Sequence, residues 1–233
     1  ISEWGHDFRP EYMQIGRVLA RLKQARVLAC TATATPVVRD EIIERLGLAA
    51  DTPQLVKGFA RPNLALRVHE VRNKKEREAW VDDALCESLG RPGSGTGAAI
   101  VYAPTRRATE AESERLAGRG WHTLAYHAGL EAEYRESAHA AFSSGELEVV
   151  VATNAFGMGI DRADVRCIAH LAPPSSVEAY YQEAGRAGRD GEDAVCLLLI
   201  SPGDMALRRY LIESDTDGRA RLRCMGTLPA CSK

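Results

Sequence analysis

The chain has 233 residues, 45% of them hydrophobic and 27% charged, enough apolar material for one large domain or one domain plus part of another. A net charge of −2 excludes a globally basic nucleic-acid binder, so any such surface has to be a local patch. No apolar run approaches the roughly 20 residues that span a bilayer. No signal peptide is visible, and the six scattered cysteines include no C-x-x-C pair, which points to a reducing, cytoplasmic compartment.

In chain order, 13–23 reads as an amphipathic helix, Arg26–Cys30 as a lone strand and 36–46 as a helix with Pro36 at its start. One strand and two helices cannot close a sheet, so this part reads as the tail of a preceding domain. The pattern changes around Phe59–Asn63, and Arg61-Pro62-Asn63 marks the crossing into the next domain. G-R-P-G-S-G-T-G (90–97) is a flexible loop by composition. From about Ala98, short apolar runs at 98–103, 122–127, 148–153, 167–172 and 194–200 read as strands buried on both faces. Between them, 105–118, 131–144 and 176–187 have helical periodicity and open on Thr, Glu and Ser. This alternation predicts an α/β fold, a three-layer parallel sheet flanked by helices. Ligands then meet loops at the carboxyl ends of strands, which draws interest to the segments after Ala103, Thr153 and Ala172. Cys30, Cys167 and Cys196 sit in apolar runs and read as buried free thiols.

Three segments carry chemistry. In Q-E-A-G-R-A-G-R-D-G (182–191), Arg186 and Arg189 lie three apart beside glycines, a spacing that puts both guanidinium groups on one face of a helix. Planar donors with little bulk around them suit a phosphate; arginines closing an exposed helix are an equally good reading. V-A-T-N-A-F-G-M-G-I-D (151–161) follows a strand, and Gly157 and Gly159 open backbone that could cradle phosphate or ribose, with Asp161 a sugar-hydroxyl acceptor. A tight turn would need the same glycines. Y-A-P-T-R-R (102–107) and Y-H-A-G-L (126–130) end two further strands; alone, Thr105 and Arg106 are a helix cap with an exposed charge, and His127 a structural histidine.

Together, and in this order, these segments closely resemble the second motor domain of RecQ helicases in helicase superfamily 2. I-S-E-W-G-H-D-F-R-P-E-Y (1–12) resembles that family's aromatic-rich loop, T-A-T-A-T (31–35) its motif III, and F-A-R-P-N-L (59–64) its link between motor domains. The resemblance covers nearly all of 1–213. It implies a RecA-like helicase C-terminal domain over 67–213, a link over 59–66, a remnant of a first RecA-like domain over 1–58 and an atypical tail over 214–233. It also implies a role for matching residues. Trp4, His6, Phe8 and Arg9 would sense single-stranded DNA, by stacking and cation–π or phosphate contact. Thr31 and Thr33 would couple nucleotide state to domain movement, and Thr105, Arg106 and Thr153 would line the DNA backbone path. Gln182, Arg186 and Arg189 match motif VI, Arg189 as arginine finger and Arg186 as its partner at the phosphates.

The implied whole is an ATP-dependent 3′–5′ DNA helicase of repair and recombination, acting with ATP and Mg²⁺ on single-stranded and partly duplex DNA, in the cytoplasm and at the nucleoid if bacterial. None of the five lysines follows a glycine, so no G-x-x-x-x-G-K-S/T loop is present, and the family's Asp-Glu-x-His would lie just before Ile1. The expectation is therefore a truncated motor that lacks its N-terminal half and does not hydrolyse ATP alone. A non-catalytic single-stranded DNA-binding module is the alternative; a related RNA helicase is disfavoured by the aromatic loop and F-G-M-G-I-D. The tail offers only Cys224 and Cys231, which do not make a tetrahedral zinc site, and no other metal ligands stand out. Oligomeric state is not written in any of these motifs.

Overall fold

The computed structural model describes residues 14–22, 26–31, 35–56, 60–157 and 160–204. Trp4, His6, Phe8, Arg9, Thr33, Gly159, Cys224 and Cys231 lie outside them. Packing divides the chain into two units, 1–60 and 61–233.

In the first unit α1 spans Ile15–Leu19 and α2 spans Pro36–Leu46. Thr35 caps α2, its hydroxyl accepting from the Val38 amide at 3.4 Å, and Pro36 occupies the first turn, where a missing N–H costs nothing. The helix stops at Gly47, whose φ of +65° lets the Gly47 and Leu48 amides reach back to Glu44 and Ile43. Two expectations are corrected here. Residues 26–30 have no strand, because no neighbouring strand among the described residues pairs with them, and Cys30 is consequently exposed rather than buried. The helix expected over 13–23 is regular only over Ile15–Leu19.

The second unit is a six-stranded, wholly parallel sheet. Its strands are β1 Leu64–Glu70, β2 Ala98–Tyr102, β3 Thr123–Tyr126, β4 Val149–Ala152, β5 Val165–His170 and β6 Ala194–Ile200, in spatial order β1-β6-β5-β2-β4-β3. The central strands are apolar throughout because both faces are covered. Along β2, Ala99 and Val101 face one core with Val81, Leu85, Leu89 and Leu116, while Ala98, Ile100 and Tyr102 face the other with Phe142 and Phe156. Helices α3 (Lys74–Leu89) and α4 (Arg106–Ala117) cover the first face, and α5 (Ala132–Ser144) and α6 (Val177–Ala184) the second. No helix among the described residues is long and apolar enough to cross a membrane.

Five strands match the sequence reading; β1 and α3 are additions. β1 is an edge strand with Leu66 and Val68 half-exposed, and it is held by a seven-residue register on β6, from Leu64 against Ala194 to Glu70 against Ile200. Helix α3 announces itself through a capping box: Asn73 Oδ1 accepts from the Glu76 amide at 2.9 Å, and Glu76 accepts from the Arg72 amide at 2.9 Å. The glycine-rich loop at 90–97 is anchored despite its composition. Ser94 and Thr96 hydroxyls donate to Leu89 O, and the Gly93 amide donates to the buried Glu148 carboxylate at 2.7 Å.

Candidate functional site

Two groups of residues emerge, one at the carboxyl ends of three strands and one around the arginine loop. The first forms where β2, β4 and β3 end side by side, with Tyr102, Ala152 and Tyr126 in register. Thr105 caps α4, accepting from the Ala108 amide at 3.1 Å, and Arg106 follows as the first helical residue. The Arg106 guanidinium lies flat against Gly129, where an added Cβ would sit 2.7 Å from Nη1. Arg106 is exposed and makes no hydrogen bond or ion pair among the described residues. His127 is buried and shares a hydrogen bond of 3.0 Å with Glu110 of α4, which ties the Y-H-A-G-L turn to that helix. Thr153 is fixed by its amide to Tyr126 O at 3.1 Å, and its hydroxyl accepts from the Ala155 amide at 3.5 Å. The structure thus brings Thr105, Arg106, His127, Gly129 and Thr153 to adjoining strand ends.

The second group forms around the arginine loop. Ser176 caps α6 by accepting from the Ala179 amide at 3.1 Å, and Gln182 is exposed on that helix. The helix ends at Ala184, three residues before the expected 187. Arg186 and Arg189 therefore stand in a run of turns over 185–190, and the idea that one helical face carries both is corrected. Gly188 takes φ +54°, open to glycine at little cost, and its amide donates to Val165 O at 2.9 Å at the amino end of β5. The backbone of the arginine loop thus reaches the amino end of β5, while the Arg186 side chain lies beside Tyr102, the last residue of β2. The connection from β4 to β5 has no helix among its described residues and meets the arginines on one face of the sheet. Arg186 donates to Gly157 O, and Arg189 donates to Ile160 O at 2.8 Å and approaches Asp161 Oδ1 at 3.4 Å. Arg189 is 36% exposed and Asp161 98% exposed, so both reach solvent, while Arg186 Nε is buried without a partner among the described residues. Thr31 is exposed in the first unit.

A buried polar layer joins the two groups. His170, on β5, stacks against Tyr102 with ring centroids 5.1 Å apart and shares a hydrogen bond of 2.8 Å with Glu183 of α6. Tyr102 donates from its hydroxyl to Phe156 O at 3.1 Å. Burial pushes the Tyr102 phenol far above its ordinary value; the positive charge of Arg186 pulls it back, and Glu183 pushes it further up. Asp190, next to Arg189, is claimed by Arg166, whose hydrogen bonds pull the carboxyl down to about 2. Sequence reading passed over Tyr102, His170, Glu183 and Asp190 because each sits inside an apolar run or a recognised motif. A polar residue within a strand otherwise buried on both faces was the available signal for His170.

Chemically, this arrangement offers an exposed guanidinium unpartnered among the described residues in one group, and in the other a pair of backbone-held guanidiniums with the exposed Asp161 carboxylate paired to Arg189. Both suit phosphate oxygens. No group of three or more His, Cys, Asp or Glu converges among the described residues.

The family described as helicase conserved C-terminal domain matches residues 66–191, which span both groups. The ATP-dependent DNA helicase RecQ of Bacillus subtilis is 41% identical over 214 residues, covering 91% of this chain and 34% of that protein. The protein of the same name from Pasteurella multocida is 39% identical over 228 residues, covering 97% and 34%. The chain spans about a third of the length of these relatives. Among solved structures, S. cerevisiae Dbp5 bound to RNA and ADP BeF3 superposes with a TM-score of 0.65 at 16% identity, over 91% of this chain and 54% of that one. A DEAD box protein from Methanococcus jannaschii gives 0.56 at 22%, over 88% and 54%. These two likenesses establish a RecA-like fold, and the family match sets the membership: this chain belongs to the helicase conserved C-terminal domain family.

Proposed function

We propose that this chain acts as the second motor unit of an ATP-dependent DNA helicase moving 3′ to 5′, in repair and recombination. The observation that carries this is the arginine loop: Arg189 and Asp161 reach solvent side by side while the Ile160 carbonyl holds the guanidinium. ATP with Mg²⁺, held mostly by residues of a first motor domain, would supply the phosphoanhydride bond whose hydrolysis drives movement. Arg189 is then the arginine finger, offsetting negative charge on phosphate oxygens, and Arg186 supports it. Gln182, Gly157, Gly159 and Asp161 line the nucleotide side, Asp161 as a sugar-hydroxyl acceptor. Arg106, with Thr105 and Thr153, binds the DNA backbone; Trp4, His6, Phe8 and Arg9 stack on and contact single-stranded DNA; Thr31 and Thr33 couple the two events. The four described cysteines are free thiols, the state a reducing, cytoplasmic compartment maintains.

The chain alone is expected not to hydrolyse ATP, since no lysine follows a glycine to make a phosphate-binding loop. ATP hydrolysis by the purified chain that Arg189→Ala abolishes would overturn this. A protein joining this chain to a segment with that loop should hydrolyse ATP in response to single-stranded DNA and lose the activity on Arg189→Ala. The exposed, unpartnered Arg106 also favours a second reading, a non-catalytic single-stranded DNA-binding module. Salt-sensitive binding weakened by Trp4→Ala, with no ATPase even when such a segment is joined, would select it.

A further inference from the structure

We infer that Arg61 and Asn63 are positioning residues for the arginine loop, and that they set where Arg186 and Arg189 stand. Two side chains at the start of the second unit reach across to a loop more than a hundred residues later. Arg61 donates through Nη2 to Ala187 O at 3.0 Å and Gly188 O at 2.7 Å. The Asn63 amide donates to Gly188 O and Glu192 O, both at 2.9 Å, and Asn63 O accepts from the Ala194 amide at 2.9 Å. Pro62 lies between them in a turn closed by the Leu64 amide on Arg61 O at 3.0 Å, so the two side chains are presented together.

The fit is close at Gly188. A Cβ there would stand 2.5 Å from Asn63 Nδ2 and 2.7 Å from Glu192 O, so the glycine serves the approach of Asn63 as well as its own positive φ. The loop over 185–190 is a succession of turns with little regular backbone pairing of its own. The carbonyls at 187 and 188 lie between the two arginines and that of 192 just beyond the loop, and Arg61 and Asn63 together donate to all three. Losing those donors frees the segment that carries the guanidinium groups, while the parallel register of β1 on β6 persists.

This inference rests on the helicase reading, and the experiment separates the two. ATPase is measured in a protein that contains this chain together with the phosphate-binding segment. Arg61→Ala and the near-isosteric Asn63→Asp, which removes both donors, should each lower kcat about 10²-fold, the cost of a displaced catalytic group. The KM for ATP should stay within about two-fold, because the loss falls on a group that acts in the transition state. Arg61→Lys, which keeps the charge and a donor, should recover about ten-fold of the loss and guards against misfolding. Combined with Arg189→Ala, neither substitution should lower kcat further, since no finger remains to be placed. Arg67→Ala, on β1 just after them but paired with Glu87, should leave kcat unchanged. Losses that add in full to Arg189→Ala, an equal loss in Arg67→Ala, or unchanged kcat in both Arg61→Ala and Asn63→Asp would overturn the positioning role. An Arg189→Ala protein with full ATPase would instead sink the motor reading on which it stands.

Discussion

Arg106 and Arg186 both lie against a glycine, yet the two arginines are used differently. Arg106 packs on Gly129 at the carboxyl ends of the strands and has no partner among the described residues, so its charge is left to an anion from solvent. Arg186 packs on Gly157, donates to its carbonyl, and belongs to a loop that is itself tied down by Arg61 and Asn63. A free guanidinium on an exposed helix start can follow a moving backbone. One held by carbonyls keeps its place, which is what charge stabilisation in a transition state requires. The connection from β4 to β5 serves both groups: Thr153 begins it and Ile160 and Asp161 meet Arg189.

The largest expected effect separates the groups. In an ATPase-competent protein containing this chain, Arg189→Ala should cut kcat by about 10³–10⁵-fold, the worth of an arginine finger. Affinity for single-stranded DNA without nucleotide should stay the same; an equal fall in both would show that the groups are one site. Phe156→Ala should damage both together. Phe156 is buried between Tyr126 and Phe142, and its carbonyl receives the Tyr102 hydroxyl, so truncation should cost about 3–5 kcal/mol, read as a lowered melting temperature. Unchanged stability would mean that this residue does not bridge them.

Arg106→Ala should act only on the group proposed to bind the DNA backbone. The dependence of log affinity on log salt should become shallower by about 0.7, one phosphate contact to a single strand, with kcat at saturating DNA retained. A loss confined to one DNA sequence would argue against a backbone contact. The smallest effect probes the sheet between the two groups. Burial pushes the Cys167 and Cys196 thiols up to about 12. In the unfolded chain they ionise at their lower, ordinary value, so between the two values the folded state binds more protons. This contribution to stability is complete below the ordinary value and is lost as pH rises towards about 12. Alkylation at neutral pH followed by peptide mass spectrometry should mark the exposed Cys30 and Cys86 and spare Cys167 and Cys196; equal labelling would contradict a closed core.

Much of this was legible from residue order. The strands around β2 showed themselves because burial on both faces demands unbroken apolar runs, and helix starts at Thr105 and Ser176 because their side chains satisfy amides that the helix leaves free, while Pro36 marked the start of α2. β1 was missed because an edge strand has one neighbour and a half-exposed face, so its alternation resembles a link. The strand expected at 26–30 failed for the converse reason: local apolar character cannot provide a pairing partner.

The sequence by itself determined the parallel α/β fold, the family and the pairing of glycines with arginines, since these follow from periodicity and from motifs local in the chain. Only the tertiary structure decided where the arginines act. A helix three residues shorter than its periodicity moved Arg186 and Arg189 into turns. A connection with no helix among its described residues carried Gly157 and Ile160 to them, and Arg61 and Asn63 closed over the loop. Those contacts join residues about 30 to 130 positions apart, and hydrogen bonds between distant carbonyls and side chains leave no periodic trace in the chain.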